Sequence, residues 1–270
     1  LDFGIATPDG VHSMPLNHSL PEATIAQAAA ICHWVVENAK SARAFLKRVA
    51  LTHPLQLPLQ ALQVVEMPRE AHKNPRFRWD ASALLAPALR GEQVGLLSEA
   101  GMPAVADPGS EVVRAAHALG VPVRALPGPS ALLLALAASG LNGQQFRFSG
   151  YLPAAPGARA QMLRDLEALS AHGGESQLFI EVPHRNAALW DTMLNTLKPG
   201  TRAFVASGLT TPGAAIHSSD IKTLRIRAEL PVDNPLAFAP SVFELPCVFG
   251  LASGLPNPSQ KPQTLRPRHA

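Results

Sequence analysis

Short β-rich runs alternate with helical stretches along the whole chain, and this alternation constrains the fold more than any other feature of the sequence. Residues 1–7, 33–37, 63–67, 94–98 and 121–126 read as strands. Residues 21–31, 39–49, 82–90, 110–119 and 130–139 read as the helices between them. Helices between successive strands are the usual crossovers of parallel pairs, so the pattern predicts an α/β fold with a mostly parallel sheet and helices packed on it. Asn38 is a good N-cap before Ala39, and Ser130 reads as the cap of an apolar helix that Gly140 ends.

At 270 residues the chain exceeds the usual single domain, which predicts two. The polar, Gly-containing segment 141–151 marks the boundary, giving an N-terminal lobe over 1–145 and a C-terminal lobe over 146–253. The second lobe begins with a strand at 146–150 and a helix at 158–170. Strands follow at 177–182, 202–207, 223–228 and 246–251, with no good helices between the last of them, so its sheet is expected to be antiparallel or mixed. Residues 254–270 form a Pro-rich stretch that reads as a disordered basic tail.

Charge and cysteine content narrow the functional classes. The net charge is +3, and Lys261, Arg266 and Arg268 in the tail, with no acid beside them, supply all of it. The body is therefore neutral. Net charge gives no footprint for nucleic acid, although segregated charge could still make a basic face. Cys32 and Cys247 sit in apolar stretches without partners at metal-ligand spacing, which reads as buried thiols in a reducing, cytoplasmic setting. His12, His18, His53, His117 and His172 show no ligand spacing either, so no metal is expected. The most apolar run, 131–138, is far shorter than the roughly 20 residues of a membrane span. Residues 1–7 lack the basic start and cleavage site of a signal peptide, so no membrane association is expected.

Two segments carry the strongest functional signal. Ser98-Glu99-Ala100-Gly101-Met102-Pro103-Ala104-Val105-Ala106-Asp107-Pro108-Gly109 lies between an apolar strand and a helix, where open α/β sheets bind ligands. Gly101 permits close backbone approach or positive φ, and Pro103 stiffens the turn. Asp107 and Ser110 read equally well as caps of the next helix. Leu126-Pro127-Gly128-Pro129-Ser130-Ala131 repeats the strand, Gly/Pro turn and helix one unit later. Neither turn has the dinucleotide or phosphate-loop spacing, so a ligand with little phosphate is expected. The segment 72–80 reads as a polar loop.

These strings, with Gly150-Tyr151-Leu152-Pro153 and Glu181-Val182-Pro183-His184-Arg185-Asn186, occur in the order seen in the tetrapyrrole-methylase superfamily. They most resemble its ribosomal RNA small-subunit methyltransferase I branch, and Ala6-Thr7-Pro8-Asp9-Gly10 resembles that branch's first cofactor loop. The resemblance spans residues 1 to about 252. It implies two α/β lobes with S-adenosylmethionine in the cleft between them, a homodimer, and methylation of RNA, on a ribose 2′-oxygen of ribosomal RNA in the small subunit. A tetrapyrrole or other small-molecule methyltransferase is the alternative, and a non-catalytic S-adenosylmethionine-binding protein is a further one. The implied cofactor contacts are Pro8, Asp9, Gly101, Met102, Val105, Ser130 and Ala131, with Phe179, Pro183 and Leu209 from the second lobe. Val105 and Phe179 read equally well as core residues.

The acceptor half of the pattern departs from the branch. Where members carry Glu-Asp-Thr-Arg, this chain has Glu37-Asn38-Ala39-Lys40-Ser41-Ala42-Arg43. Glu37, Lys40 and Arg43 either line the acceptor side or, for the two cations, form a solvated helix face. The basic run expected after the Gly-Tyr-Leu-Pro turn is reduced to Ala154-Ala155-Pro156-Gly157-Ala158 and Arg159. Thr210-Thr211-Pro212-Gly213 replaces the usual Thr-Lys and His-Glu elements. Arg185 and Asn186 read as a structural pair and a helix cap. No catalytic residue is identifiable.

Overall fold

A computed structural model describes residues 14–70, 77–231 and 233–254 of the chain. The contacts divide it into two compact units, one ending at Ala131 and the other starting at Leu132.

The first unit is built on a parallel sheet of three described strands, β1 (His33–Val36), β2 (Gln63–Glu66) and β3 (Val94–Leu97), in the order β2-β1-β3. The central strand has its side chains buried on both faces, as parallel sheets covered by helices require. Trp34 and Val36 join Ile25 of α1 (Glu22–Ala29) and Ala42, Phe45, Leu46 and Val49 of α2 (Ala39–Val49). On the opposite face Val35 meets Met67, Leu85, and Val112 and Ala116 of α4 (Ser110–Ala118). Helix α2 starts where Asn38 was expected to cap it: the Asn38 side chain accepts from the amides of Lys40 and Ser41. The helix expected over 82–90 is a 3-10 turn, Ser82–Leu85, followed by a single helical turn, α3 (Ala86–Leu89). Pro87 suits that start, having no amide to leave unpaired.

Residues 121–126 form no strand among the described residues. Val123 is 45% exposed, so the apolar residues that suggested a strand are not all buried. The strand expected at 1–7 lies outside the described residues, as does most of 72–80, and so does the tail from 255 onward.

The second unit starts with α5 (Ala131–Ser139), a helix the sequence placed in the first lobe. Its Leu132, Ala135 and Leu136 pack on Leu178, Phe204, Ala206 and Val248, so it completes the core of the second sheet. That sheet is mixed, as expected. It contains β4 (Phe146–Tyr151), β5 (Ser176–Glu181), β6 (Arg202–Ser207), β7 (Ala215–Asp220) and β8 (Cys247–Ala252), in the order β4-β5-β8-β6-β7. β4 and β5 are parallel, and the remaining pairs are antiparallel. The other face packs on α6 (Pro156–Gly173) and α7 (Pro183–Thr196), through Leu163, Leu166, Leu189, Trp190 and Met193.

The strand expected at 223–228 is a helix, α8 (Ile221–Ala228). Thr-Leu-Arg-Ile-Arg alternates like a half-buried strand, but the buried pair is Ile221 and Leu224, three apart, while Ile226 is 56% exposed. Asp220 starts it by accepting the Thr223 amide at 2.8 Å. The edge strand β7 was missed because Ala-Ile-His-Ser-Ser-Asp is mostly polar and takes its hydrogen bonds from β6 on one side.

Close packing at β1 yields a test. Gly95 pairs with Trp34 across the β1/β3 ladder, and a Cβ there would lie 2.5 Å from the indole ring. Gly95→Ala should destabilise the protein by about 1–3 kcal/mol in a denaturant melt. Pairing it with Trp34→Leu, which opens the space, should make the loss smaller than the sum of the two single losses. Strict additivity would count against this contact.

Candidate functional site

The strand order of the first unit creates a topological switch point. The chain leaves β1 for β2 on one side, whereas β3 lies on the other, so the carboxyl ends of β1 and β3 diverge into separate segments, the kind of position where open α/β sheets hold ligands. Glu37 follows β1, and Ser98 and Glu99 follow β3. The Glu37 amide donates to Leu97 O at 3.0 Å, extending the ladder by one residue. Its carboxylate Oε2 accepts the Glu99 amide at 2.9 Å. This bond ties the opening of the Gly/Pro loop to the end of the central strand.

The loop is held in an unusual conformation. Gly101 has φ +69°, and Ala104 and Ala106 have φ 63° and 62°. The left-handed region suits glycine but costs alanine on the order of 1–3 kcal/mol per residue. The loop keeps this shape through internal bonds: Ser98 Oγ donates to Ala100 O at 3.0 Å, Val105 N to Met102 O at 3.1 Å, and Ala104 N to Pro108 O at 3.2 Å. At Gly101 a Cβ would have only Asp107 Oδ2 near it, at 4.0 Å, so that face of the backbone is open. Strained, well-tied loops of this kind cluster at binding sites.

Asp107 is not a helix cap. Gly109 occupies the cap position of α4, and no side chain caps that end. Burial instead pushes the Asp107 carboxyl up to about 7, the Glu37 and Glu99 charges push it the same way, and the Ser98 hydroxyl opposes them. Three carboxyl groups, Glu37, Glu99 and Asp107, are thus electrostatically coupled at the carboxyl ends of β1 and β3. No local pattern signals that cluster, because Glu37 and Asp107 are seventy residues apart and meet only through β1/β3 pairing.

Of the residues named from sequence, Pro8 and Asp9 lie outside the described residues. Gly101 and Met102 are half-buried in the loop, and Val105 is 44% exposed rather than in a core. In the second turn Ser130 is buried and Ala131 exposed, and Thr24 Oγ1 anchors the turn by donating to Pro127 O at 2.7 Å.

In the second unit, Glu181, Cys247 and Ser207 lie in register across the sheet edge where β5 and β6 end. Pro183 follows as the exposed first residue of α7, and Leu209 follows β6, packed against the Leu178 and Phe204 cluster. Phe179 has no exposed surface. It stacks on Phe249 with centroids 6.2 Å apart, inside the core under α6 and α7. Arg185 pairs with Glu181 Oε1 through Nη2 at 2.6 Å and Nε at 3.0 Å. Asn186 caps no helix: its amide donates to Phe243 O at 3.0 Å and Leu245 O at 2.9 Å, pinning the segment before β8. Arg159, the remnant of the expected basic run, is buried, its Nε donating to Thr192 Oγ1 at 3.0 Å. Burial also pushes the Cys247 thiol up to about 11, which leaves it an inert core group. Among the described residues no cluster of His, Cys, Asp or Glu could hold a metal.

Residues 22–225 match the family model described as Tetrapyrrole (Corrin/Porphyrin) Methylases. The ribosomal RNA small subunit methyltransferase I of Xylella fastidiosa is 37% identical over 145 residues, 54% of this chain and 52% of that protein. Its Pseudomonas aeruginosa counterpart is 32% identical over 160 residues, 59% of this chain and 55% of that protein. The chain thus spans about half the length of the curated relatives it matches. The crystal structure of the methyltransferase CobJ aligns over 86% of this chain and 87% of that one, with a TM-score of 0.47 and 21% identity.

Asp107 gives the site a pH signature. An acid that titrates at about 7 when folded, against 3.8 as a free group, binds its proton more tightly in the folded state. Its contribution is therefore most favourable below about 4 and is lost as pH rises towards 7. Asp107→Asn should flatten the fall in melting temperature between pH 5 and pH 8 and should be relatively most stabilising at pH 8. Parallel profiles for the two proteins would show that the carboxyl is not buried as described.

Proposed function

We propose that this chain, which belongs to the tetrapyrrole (corrin/porphyrin) methylase family, is an S-adenosylmethionine-dependent methyltransferase that acts on RNA. The observation carrying the proposal is the strained, internally tied loop from Ser98 to Gly109 at the β1/β3 switch point, with its backbone open at Gly101. The names of the ribosomal RNA methyltransferase relatives support RNA as the acceptor, with the ribose 2′-oxygen as the atom the resemblance implies.

The residues present fit the cofactor's chemistry. S-adenosylmethionine is cationic at its sulfonium and ammonium groups, and the Glu37 and Glu99 carboxylates supply complementary charge at the opening of the loop that carries Gly101. Gly101, Met102 and Val105, with Ser130 and Ala131 of the next turn, would hold it. Pro8, Asp9, Pro183 and Leu209 belong to the same proposal. The bound cofactor brings an activated methyl group, so the protein has chiefly to align the acceptor and exclude water. A hydroxyl acceptor must also lose its proton. Asp107, titrating near neutrality, is the side chain of this site suited to take it.

The same proposal includes a cytoplasmic homodimer, supported by the resemblance. No helix among the described residues is long and apolar enough to cross a membrane. A second reading, methylation of a tetrapyrrole or another small molecule, is favoured by the burial of Arg159, which removes the last cation of the expected RNA-facing run.

Binding is tested first. S-adenosylmethionine at about 100 times its Kd stabilises a protein by roughly 2.7 kcal/mol, a melting shift of about 5–10 °C for a chain of this size. Gly101→Val, which forces a β-branched residue into the left-handed region, should abolish the shift while the apoprotein still melts cooperatively. An undiminished shift would place the cofactor elsewhere. Transfer of labelled methyl groups to ribosomal subunits, total RNA and a porphyrin precursor then separates the readings. Label in RNA alone is expected, label in the porphyrin alone supports the second reading, and label in none of them supports a non-catalytic binding protein.

A further inference from the structure

Helix α2 separates charge in a way that net charge conceals. Its eleven residues include Lys40, Arg43, Lys47 and Arg48 and no acid. Ala42, Phe45, Leu46 and Val49 face the core, while Lys40, Arg43 and Lys47 are exposed. Spacings of three and four place these cations on one face, in a stripe about 10 Å long at 1.5 Å per residue. Arg48 is engaged elsewhere, donating to Met14 O at 2.5 Å.

Helix stability accounts for Lys47, whose place in the last turn suits the helix dipole, but not for the stripe as a whole. Like charges three and four apart repel, and Lys40 lies in the first turn, where the helix dipole disfavours a cation. The amino end is also closed to an anion, because Asn38 Oδ1 accepts the Lys40 and Ser41 amides at 2.9 and 3.1 Å and Glu66 Oε1 accepts the Ala39 amide at 2.7 Å. An anion meeting this face must be held by side chains. The stripe starts within one turn of Glu37, at the mouth of the β1/β3 site. At its far end Lys47 borders an open groove of about 430 Å³ lined mainly by Leu55, Leu57, Pro58 and Leu59.

We propose that the Lys40, Arg43 and Lys47 face of α2 is the surface that binds the sugar–phosphate backbone of a single-stranded RNA led into the β1/β3 site. A flexible polyanion can follow a row of cations one residue wide, and the apolar groove beside Lys47 gives a base or sugar a sequence-tolerant contact. Three cations in a single row fall short of the clusters of about four to eight that hold a flat anionic membrane. The proposal rests on the RNA reading above and adds the path by which the acceptor reaches the site.

The test uses the full chain and a labelled single-stranded RNA of mixed sequence, with anisotropy followed against salt. Each phosphate contact contributes about 0.7 to the log–log salt slope for single strands. The triple variant Lys40→Ala, Arg43→Ala, Lys47→Ala should lower that slope by about 2 and weaken binding at least about tenfold at low salt. Arg164→Ala, at an exposed position of α6, should change neither, and thermal melts should show all variants folded. No RNA binding by the parent, an unchanged slope in the triple variant, or an equal loss in Arg164→Ala overturns the proposal. So does binding to phosphatidylserine vesicles that the triple variant loses while it keeps its RNA affinity. A cofactor melting shift with an unchanged RNA slope refutes the stripe alone; a lowered slope without any cofactor shift refutes the enzymatic reading and leaves the stripe standing.

Discussion

Strand β1 has hydrogen-bonded neighbours on both edges and packed helices on both faces, and the candidate site depends on that position. Burial of Trp34, Val35 and Val36 fixes the strand, and the fixed strand fixes where Glu37 emerges. From there the Glu37 carboxylate reaches the Glu99 amide, so the Gly/Pro loop is tied to the end of the central strand of its sheet. Trp34 fits only because its cross-strand neighbour is glycine. Core packing and loop geometry are therefore one problem in this unit: a shift of β3 relative to β1 would alter both.

The left-handed alanines have a similar logic. Ala104 and Ala106 hold a costly conformation in a loop anchored at one end by β3 and at the other by α4. Such preorganisation presents backbone groups to a ligand without ordering them at the moment of binding. It also brings Asp107 close enough to two other carboxylates, and far enough from water, for its proton to be retained near neutral pH. A cation arriving there would relieve the repulsion among them, which is the electrostatic complement of a sulfonium.

The second unit applies different rules. Its mixed sheet brings the ends of β5 and β6 to one edge with β8 running oppositely between them. Several polar residues there turn out to be structural: Glu181 with Arg185, Asn186 with the carbonyls before β8, and Arg159 with Thr192. Arg185 is the structural partner it was expected to be, whereas Arg159, the remnant of the expected basic run, is an internal brace; Lys40, Arg43 and Lys47 on α2 stay exposed.

The amino-acid sequence by itself determined the alternation of elements, most strand and helix positions, the mixed character of the second sheet and the location of the Ser98 to Gly109 loop. These follow from local rules, since period, caps and Gly/Pro turns act over a few residues. It misread residues 223–228, where alternation mimicked a strand and only the burial of Ile221 with Leu224 shows a helix. It placed α5 in the wrong company, because an apolar helix carries no mark of which sheet it will cover. It could not separate Phe179 in a core from Phe179 at a ligand, or Asp107 as a cap from Asp107 as a titrating acid. Those distinctions were decided only by tertiary structure, because burial and the approach of charges seventy residues apart are set by which strands pair and which faces they cover.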